Sequence, residues 1–195
     1  HCLILIAFTT RVYSRPMMSL QDFQELCNVR RSVRYFDVEP VTKKEIEDVL
    51  SVGITAPSIE NIQPWMFHVV TNPAKKEELM KASCYGNFTP GASALVIVGC
   101  DDSLAPKTGN TLWNPRELEY SCVSAMENVL LAAAAKGIGA CWVSLHHGTA
   151  HDILQLPRSM KVVGGLMLGK LKKGEESPST THQRKSLSEV VTWVE

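Results

Sequence analysis

Two short stretches carry most of the chemistry in this chain. Arg30-Arg31-Ser32-Val33-Arg34 supplies three guanidiniums and a hydroxyl within five residues. Arginine forks grip phosphate oxygens bidentately, and a serine hydroxyl adds a further donor. An extended backbone would put Arg30, Ser32 and Arg34 on one side. The second stretch, Ala56-Pro57-Ser58-Ile59-Glu60-Asn61-Ile62-Gln63-Pro64-Trp65, carries a hydroxyl and two carboxamides. Residues before proline are held extended, so Ala56 and Gln63 are not helical. Ser58, Asn61 and Gln63 then project from an irregular loop. Carboxamides both donate and accept, which suits a planar heterocycle edge of alternating C=O and N–H. Taken singly, each stretch also reads as ordinary surface: a solvated charged turn, and a polar loop anchored by Trp65.

The elements that must position these groups follow from capping and periodicity. Ser19 with Asp22 resembles a capping box, and Leu20, Phe23, Leu26 and Cys27 form an apolar face behind it, giving a helix that ends near Asn28. Thr42 with Glu45 is a second box, followed by Ile46, Val49, Leu50, Gly53 and Ile54 at helical spacing, with Pro57 as the stop. Trp65 to Thr71 reads as a strand. Asn72-Pro73 opens a charged helix through Ser83, and Asn114-Pro115 opens one that runs to Lys136, with Gly137 placed to end it. The second half of that helix, Val129 to Ala135, is apolar on every side.

Ala94 to Cys100, Ala140 to Leu145 and Val162 to Leu168 are apolar runs expected to form covered strands, the last interrupted by Gly164-Gly165. Thr149 with Asp152 is expected to cap a short helix ending at Leu156-Pro157, and Ser186 with Glu189 a last one carrying Val190, Val191 and Trp193. The sum is an α+β domain with more helix than strand.

At 195 residues and 45% hydrophobic content, the chain can bury one sizeable core. Residues 18–195 read as a single domain; residues 1–17, with the apolar run Cys2 to Phe8, are set apart as an extension or an arm. That run is too short to span a bilayer, and no membrane partner is expected. Lys+Arg and Asp+Glu both total 20, so there is no basic excess for nucleic acid. The small basic groups at Arg30 to Arg34, Lys170 to Lys173 and Arg184-Lys185 suit one phosphate rather than a polymer. Cys2, Cys27, Cys84, Cys100, Cys122 and Cys141 show no CxxC spacing, as expected of reduced thiols in a cytoplasmic protein. No HExxH or paired CxxC supports a metal, and the adjacent His146-His147, placed on a strand, would point to opposite faces.

Together the two stretches resemble those of the nitroreductase-like flavoprotein family, in which an Arg-Arg-Ser-x-Arg segment precedes a Pro-Ser-x-x-Asn-x-Gln-Pro-Trp segment, matched here from Pro57 to Trp65. Gly137-Ile138-Gly139-Ala140-Cys141-Trp142 is similar to the family's Gly-Leu-Gly-x-Cys-Trp turn and strand, and Arg184-Lys185 to its C-terminal basic pair. The likeness covers Leu20 to Val194. It implies a nitroreductase-like α/β sandwich, a central mostly antiparallel sheet flanked by helices, forming a homodimer with FMN at the subunit interface. By the same resemblance the FMN-binding residues are Arg30, Arg31, Ser32, Arg34, Pro57, Ser58, Asn61, Gln63, Asn87, Val143, Ser144, Arg184 and Lys185. Glu60 departs from the small residues usual in the loop and would repel an anionic ligand.

The implied activity is an FMN-dependent oxidoreductase that passes hydride from NADH or NADPH to a nitroaromatic, quinone or similar electron-poor acceptor by a ping-pong mechanism. The cofactor does the chemistry, so no catalytic acid or base is assigned. An arginine near the flavin's N1/C2=O edge would favour the anionic reduced state. Two other classes compete. A flavin-binding carrier or redox-responsive module with little turnover would keep the same contacts. A cysteine-dependent hydrolase using Cys84 or Cys141 lacks any activating pattern. Reductive dehalogenation and flavin fragmentation are specialised activities within the same family.

Overall fold

The computed structural model describes residues 18–81, 83, 91–105, 114, 116–174 and 183–195. Six helices and a four-stranded sheet are described. The helices are α1 (Leu20–Val29), α2 (Lys43–Gly53), α3 (Pro73–Lys81), α4 (Glu117–Ala135), α5 (His147–Leu154) and α6 (Leu187–Val190). The strands are β1 (Trp65–Val70), β2 (Ala94–Asp101), β3 (Ile138–Val143) and β4 (Met160–Lys170). Their order across the sheet is β1-β2-β4-β3, and every pairing is antiparallel. This is the expected α+β architecture, with helices on both faces of the sheet.

The sequence chemistry explains where the elements begin. Ser19 with Asp22, Thr42 with Glu45 and Ser186 with Glu189 all form complete capping boxes, satisfying helix N–H groups that would otherwise lack partners. Asn72 Oδ1 accepts from Lys75 N at 3.0 Å at the start of α3. Gly137, at φ 69°, ends the long helix and turns the chain straight into β3.

One face of the sheet packs Val96, Val98 and Cys100 of β2 and Leu166 and Leu168 of β4 against Val49 of α2 and Cys122, Met126 and Val129 of α4. The other packs Leu95, Ile97, Cys141, Val143 and Met167 against Leu79, Met80, Ala150 and Leu156. Strands β2 and β4 are covered on both faces, which is why they read as unbroken apolar runs. Helix α2 lies close on α4: a Cβ at Gly53 would stand 2.5 Å from Val129 Cγ2. Lys76 Nζ, buried in α3, donates to the Ala92 and Ser93 carbonyls and so clips the entry to β2.

Four expectations need correction. Strand β4 is not broken at Gly164-Gly165; it runs through them with a register shift against Val98/Gly99 that leaves Val163 as an extra residue. The glycines are there for space, since a Cβ at Gly164 would sit 2.8 Å from Trp142 Nε1. Thr149 does not cap α5, which starts earlier with His146 as its N-cap; the Thr149 hydroxyl lies 3.3 Å from His146 Nδ1 instead. His146 and His147 therefore stand at a helix start and not on a strand. Asn114 makes a turn ahead of α4 rather than its cap, its side chain accepting from Arg116 N at 2.9 Å, and Arg116 takes the cap position.

Candidate flavin site

The arginine segment leaves α1 at Arg30, whose N–H closes the helix on the Leu26 carbonyl while its own backbone turns extended. The chain then runs along the outer edge of β3. Ser32 bridges Ala140 in parallel, Val33 N donates to Ala140 O at 2.8 Å, and Val33 is buried as the anchor. Further on, Phe36 bridges Leu171 and Asp37 N donates to Lys170 O at 3.0 Å.

The three alternating side chains do not share one environment. Arg30 and Arg31 line a recess of about 200 Å³ whose apolar floor includes Leu130, Ala134, Ile138 and Ala140. Glu127 of α4 faces Arg30 at 4.0 Å. Ser32 and Arg34 bear instead on Cys141, and Arg34 Nη1 donates to the Ser32 carbonyl at 3.3 Å. Burial pushes the Cys141 thiol up, with the Arg34 charge and a Ser32 hydrogen bond pulling the other way. A thiol held protonated is a poor nucleophile, which weighs against the hydrolase alternative at Cys141. Cys84 lies outside the described residues.

From Ala140, β3 continues along this edge to Val143 and Ser144. Val143 is buried in the core, pointing to the face opposite Ala140, whereas Ser144 is exposed. Four residues of strand put Ser144 about 13 Å beyond the Arg30/Arg31 recess.

The carboxamide loop is built differently. Its centre is a single 3-10 turn, Ile59–Asn61, within which Glu60 and Asn61 are left-handed at φ 46° and 57°; Gln63, expected to be extended ahead of Pro64, is left-handed as well at φ 55°, its N–H held by Ser58 Oγ. Such backbone costs non-glycine residues energy and persists only where the surroundings hold it. Here Ile59 N donates to Ser121 Oγ of α4 at 3.2 Å, Gln63 N to Ser58 Oγ at 3.0 Å, and Asp101 N to Pro64 O at 2.9 Å. Pro57 is exposed and Ser58 half-buried; the Asn61 and Gln63 side chains face outward, the latter donating to Asn61 O at 3.3 Å.

Within one chain the two segments stand at diagonal corners of the sheet. The loop feeds Trp65, opposite Cys100 on the β1 edge, while Ser32 lies beyond Ala140, in the row of Leu168 and Ala94. Four strand spacings separate them by about 19 Å across the sheet, and six residues by about 20 Å along it. Arg184 and Lys185 are exposed just ahead of α6. Asn87 lies outside the described residues.

The residues that sequence reading passed over are the supports. Ser121 is a buried hydroxyl on an otherwise apolar helix face, a pattern that signals a specific partner. Glu127 is a carboxylate two residues ahead of the apolar run Val129 to Ala135 in α4, set opposite Arg30.

Comparison with known proteins agrees with this architecture. Residues 28–102 and 84–170 match the sequence profile of the nitroreductase family. An Archaeoglobus fulgidus protein, provisionally named NADH dehydrogenase/NAD(P)H nitroreductase, is 29% identical over 155 residues, which is 77% of this chain and 86% of that one. Among solved structures, the provisionally named nitroreductase ydfN of Bacillus subtilis superimposes with a TM-score of 0.78 at 22% identity, over 90% of this chain and 100% of that one. A provisionally named nitroreductase of Desulfovibrio desulfuricans in complex with FMN gives a TM-score of 0.73 at 24% identity, over 88% and 96% of the two chains. At these identities the two structures speak to the shared fold.

Proposed function

Because the chain belongs to the nitroreductase family, we propose that it is an FMN-dependent NAD(P)H oxidoreductase whose flavin sites are assembled from two copies of the chain. The observation that carries this reading is the recess at the β3 edge. Two guanidiniums stand over an apolar floor, and the strand leads away from them to an exposed hydroxyl about 13 Å on. That arrangement fits a phosphate at one end and a ring system at the other.

FMN, when bound, would supply hydride transfer between NADH or NADPH and a nitroaromatic, quinone or similar electron-poor acceptor, in a ping-pong order. The chain's part is to hold and orient. Arg30 and Arg31, with Arg184 and Lys185, would neutralise the phosphate dianion; Ser32 and Arg34 would fix the segment against β3; Ser144 and the backbone of Val143, whose side chain is buried in the core, would border the ring. Pro57, Ser58, Asn61 and Gln63 form an outward-facing rim at the far corner of the sheet. They meet the ring only if a second subunit brings its loop to this subunit's arginines, hence the homodimer. A rim of neutral carboxamides offers N–H and C=O groups to the pyrimidine edge without adding charge.

Absorption spectroscopy of the isolated protein tests the reading. The expected result is a flavin spectrum, with FMN as the chromophore released on denaturation, bleached rapidly by NADH or NADPH without oxygen and restored by a quinone. Protein that stays colourless in excess FMN would overturn it. Bound flavin that neither nicotinamide reduces would leave a binding module instead of an enzyme.

A further inference from the structure

Between Asp48 and His68 the chain carries a single charge, the carboxylate of Glu60. It stands in the middle of the turn Ile59–Asn61, one residue ahead of Asn61, on the rim of otherwise neutral side chains. The side chain is exposed, and among the described residues no lysine or arginine pairs with it.

Folding gives no reason for a carboxylate here. At φ 46° and ψ 22° the Glu60 backbone is left-handed, a conformation that glycine or asparagine adopts at less cost. Backbone of that kind persists where its surroundings impose it. The neighbours do so. Asn61 N donates to Ser58 O at 3.0 Å, Ile62 N to Ile59 O at 2.9 Å, and Ile59 N to Ser121 Oγ at 3.2 Å. Both flanks of Glu60 are pinned, so the charge is presented from a fixed place on the rim.

We propose that Glu60 sets the charge selectivity for the electron acceptor, favouring nitroaromatics and quinones that are neutral or cationic over those bearing a carboxylate or sulfonate. The proposal rests on the two-copy flavin reading above and names the class of acceptor that the site takes.

A site assembled in that way is polar along its length. At one end Arg30 and Arg31 are offset by Glu127 and by the phosphate they would hold. At the other end the rim carries one unmatched negative charge, and an acceptor placed on the ring would meet it. In a partly water-excluded cleft, one unit charge alters the binding of another by roughly fivefold at low ionic strength. Near 1 M salt, screening over about 3 Å cuts that to less than about twofold. Substrate charge is therefore read at the rim, where the flavin's own phosphate is remote.

The test uses the holoenzyme, reduced with stoichiometric NADH and mixed without oxygen with para-nitrobenzoate, para-nitrobenzamide or para-nitrobenzyl trimethylammonium. Flavin reoxidation gives the rate constants for wild type, Glu60→Gln and Glu60→Lys. Each compound keeps its own reduction potential in every variant, so ratios between enzymes isolate the charge. Dissociation constants of redox-inert para-toluate and benzyl trimethylammonium, read from the oxidised flavin spectrum, give a second measure free of turnover. Glu60 is exposed and pairs with no cation among the described residues, so neither substitution threatens the core.

Relative to the neutral amide, Glu60→Gln should raise the rate constant for the anion about fivefold and lower that for the cation about fivefold. The two dissociation constants should move in the same sense, Glu60→Lys should carry both shifts further, and high salt should erase most of the wild-type discrimination. Anion-to-cation ratios that stay at wild-type values in both variants, or a wild-type ratio indifferent to salt, would overturn the proposal. Protein that takes up no FMN removes the flavin reading and this role with it. A working flavoprotein blind to acceptor charge removes only the role of Glu60.

Discussion

Ser58 Oγ accepts the backbone N–H of Gln63 at 3.0 Å, closing a loop in which Glu60, Asn61 and Gln63 are all left-handed. The bond holds the two carboxamides in place from inside the loop, leaving their side chains outward. Ser58→Ala removes it and frees a loop already under backbone strain. Stability should fall by about 1 kcal/mol, the worth of one neutral hydrogen bond. FMN affinity should fall at least fivefold, because the rim loses its shape as well as a hydroxyl. Urea denaturation and flavin fluorescence titration measure the two effects separately. An unchanged FMN dissociation constant would take the loop out of the site.

Arg30 is held 4.0 Å from Glu127 at the recess. If its guanidinium makes a charge-assisted bond to phosphate, Arg30→Ala should weaken FMN binding by about 1.5–3 kcal/mol, roughly tenfold to more than a hundredfold. Glu127→Gln should act the other way, since it removes a competing carboxylate from beside the phosphate. Titrating both variants at low and moderate salt checks the pair. Equal affinities in wild type and Arg30→Ala would make that arginine a partner of Glu127 and nothing more.

The contrast between these two segments shows what the sequence could and could not convey. The capping boxes at Ser19, Thr42 and Ser186 were legible because a cap is a local bargain among four residues. The β2 and β4 runs were legible because burial on both faces leaves no polar position. Thr149 misled because the hydroxyl's choice between a helix N–H and the His146 ring depends on where the chain has already turned. Gly164-Gly165 misled because a glycine pair looks like a break until the Trp142 ring that occupies its space is known. At the site, residue types were readable but distances were not. Pairing Ser32 with Ala140 sends the arginines to one corner of the sheet, and the register of Trp65 with Cys100 sends the carboxamides to the opposite one. No spacing along the chain encodes that separation.

Close packing of α2 on α4 makes Gly53 sensitive. Ala is the better helix former by about 1 kcal/mol. Its Cβ, however, would meet Val129 Cγ2 at 2.5 Å, and Val129 is fully buried with a β-branched side chain that cannot rotate away in a helix. Gly53→Ala should therefore destabilise, by about 1–3 kcal/mol from overpacking less the propensity gain. Thermal denaturation decides the sign, and a stabilised variant would show that the helices can part at no cost.

Stability should fall in two separate limbs on acidification. The imidazole of His68 on β1 is pushed below its ordinary 6.5 by burial, and its Nε2 has no partner among the described residues. The unfolded chain takes up a proton there before the folded one does, so stability drops as pH falls below 6.5. His68→Gln should flatten that limb. Glu45 is held at about 2, against an ordinary 4.5, by its Lys170 hydrogen bond first and then by the Thr42 backbone and hydroxyl. Its contribution is complete above pH 4.5 and fades as pH falls towards 2. Glu45→Gln should make the lower limb shallower without abolishing it, because hydrogen bonds also hold the Asp48 and Asp101 carboxyls below their ordinary value, and should leave the upper limb unchanged. Urea midpoints from pH 3 to 8 separate the two; an upper limb unchanged in His68→Gln, or a lower limb as steep in Glu45→Gln as in the wild type, would assign that limb to other groups.

The central claim is that arginines from one subunit and carboxamides from another meet on a single flavin. Co-purified mixed dimers of Arg30→Ala chains with Asn61→Ala/Gln63→Ala chains, differently tagged, test it by counting tight FMN sites. A shared site predicts one wild-type-affinity site per mixed dimer, since both lesions fall in the other site, and none in either parent dimer. A mixed dimer with two weakened sites and no tight one would place the whole site within one chain and contradict the account.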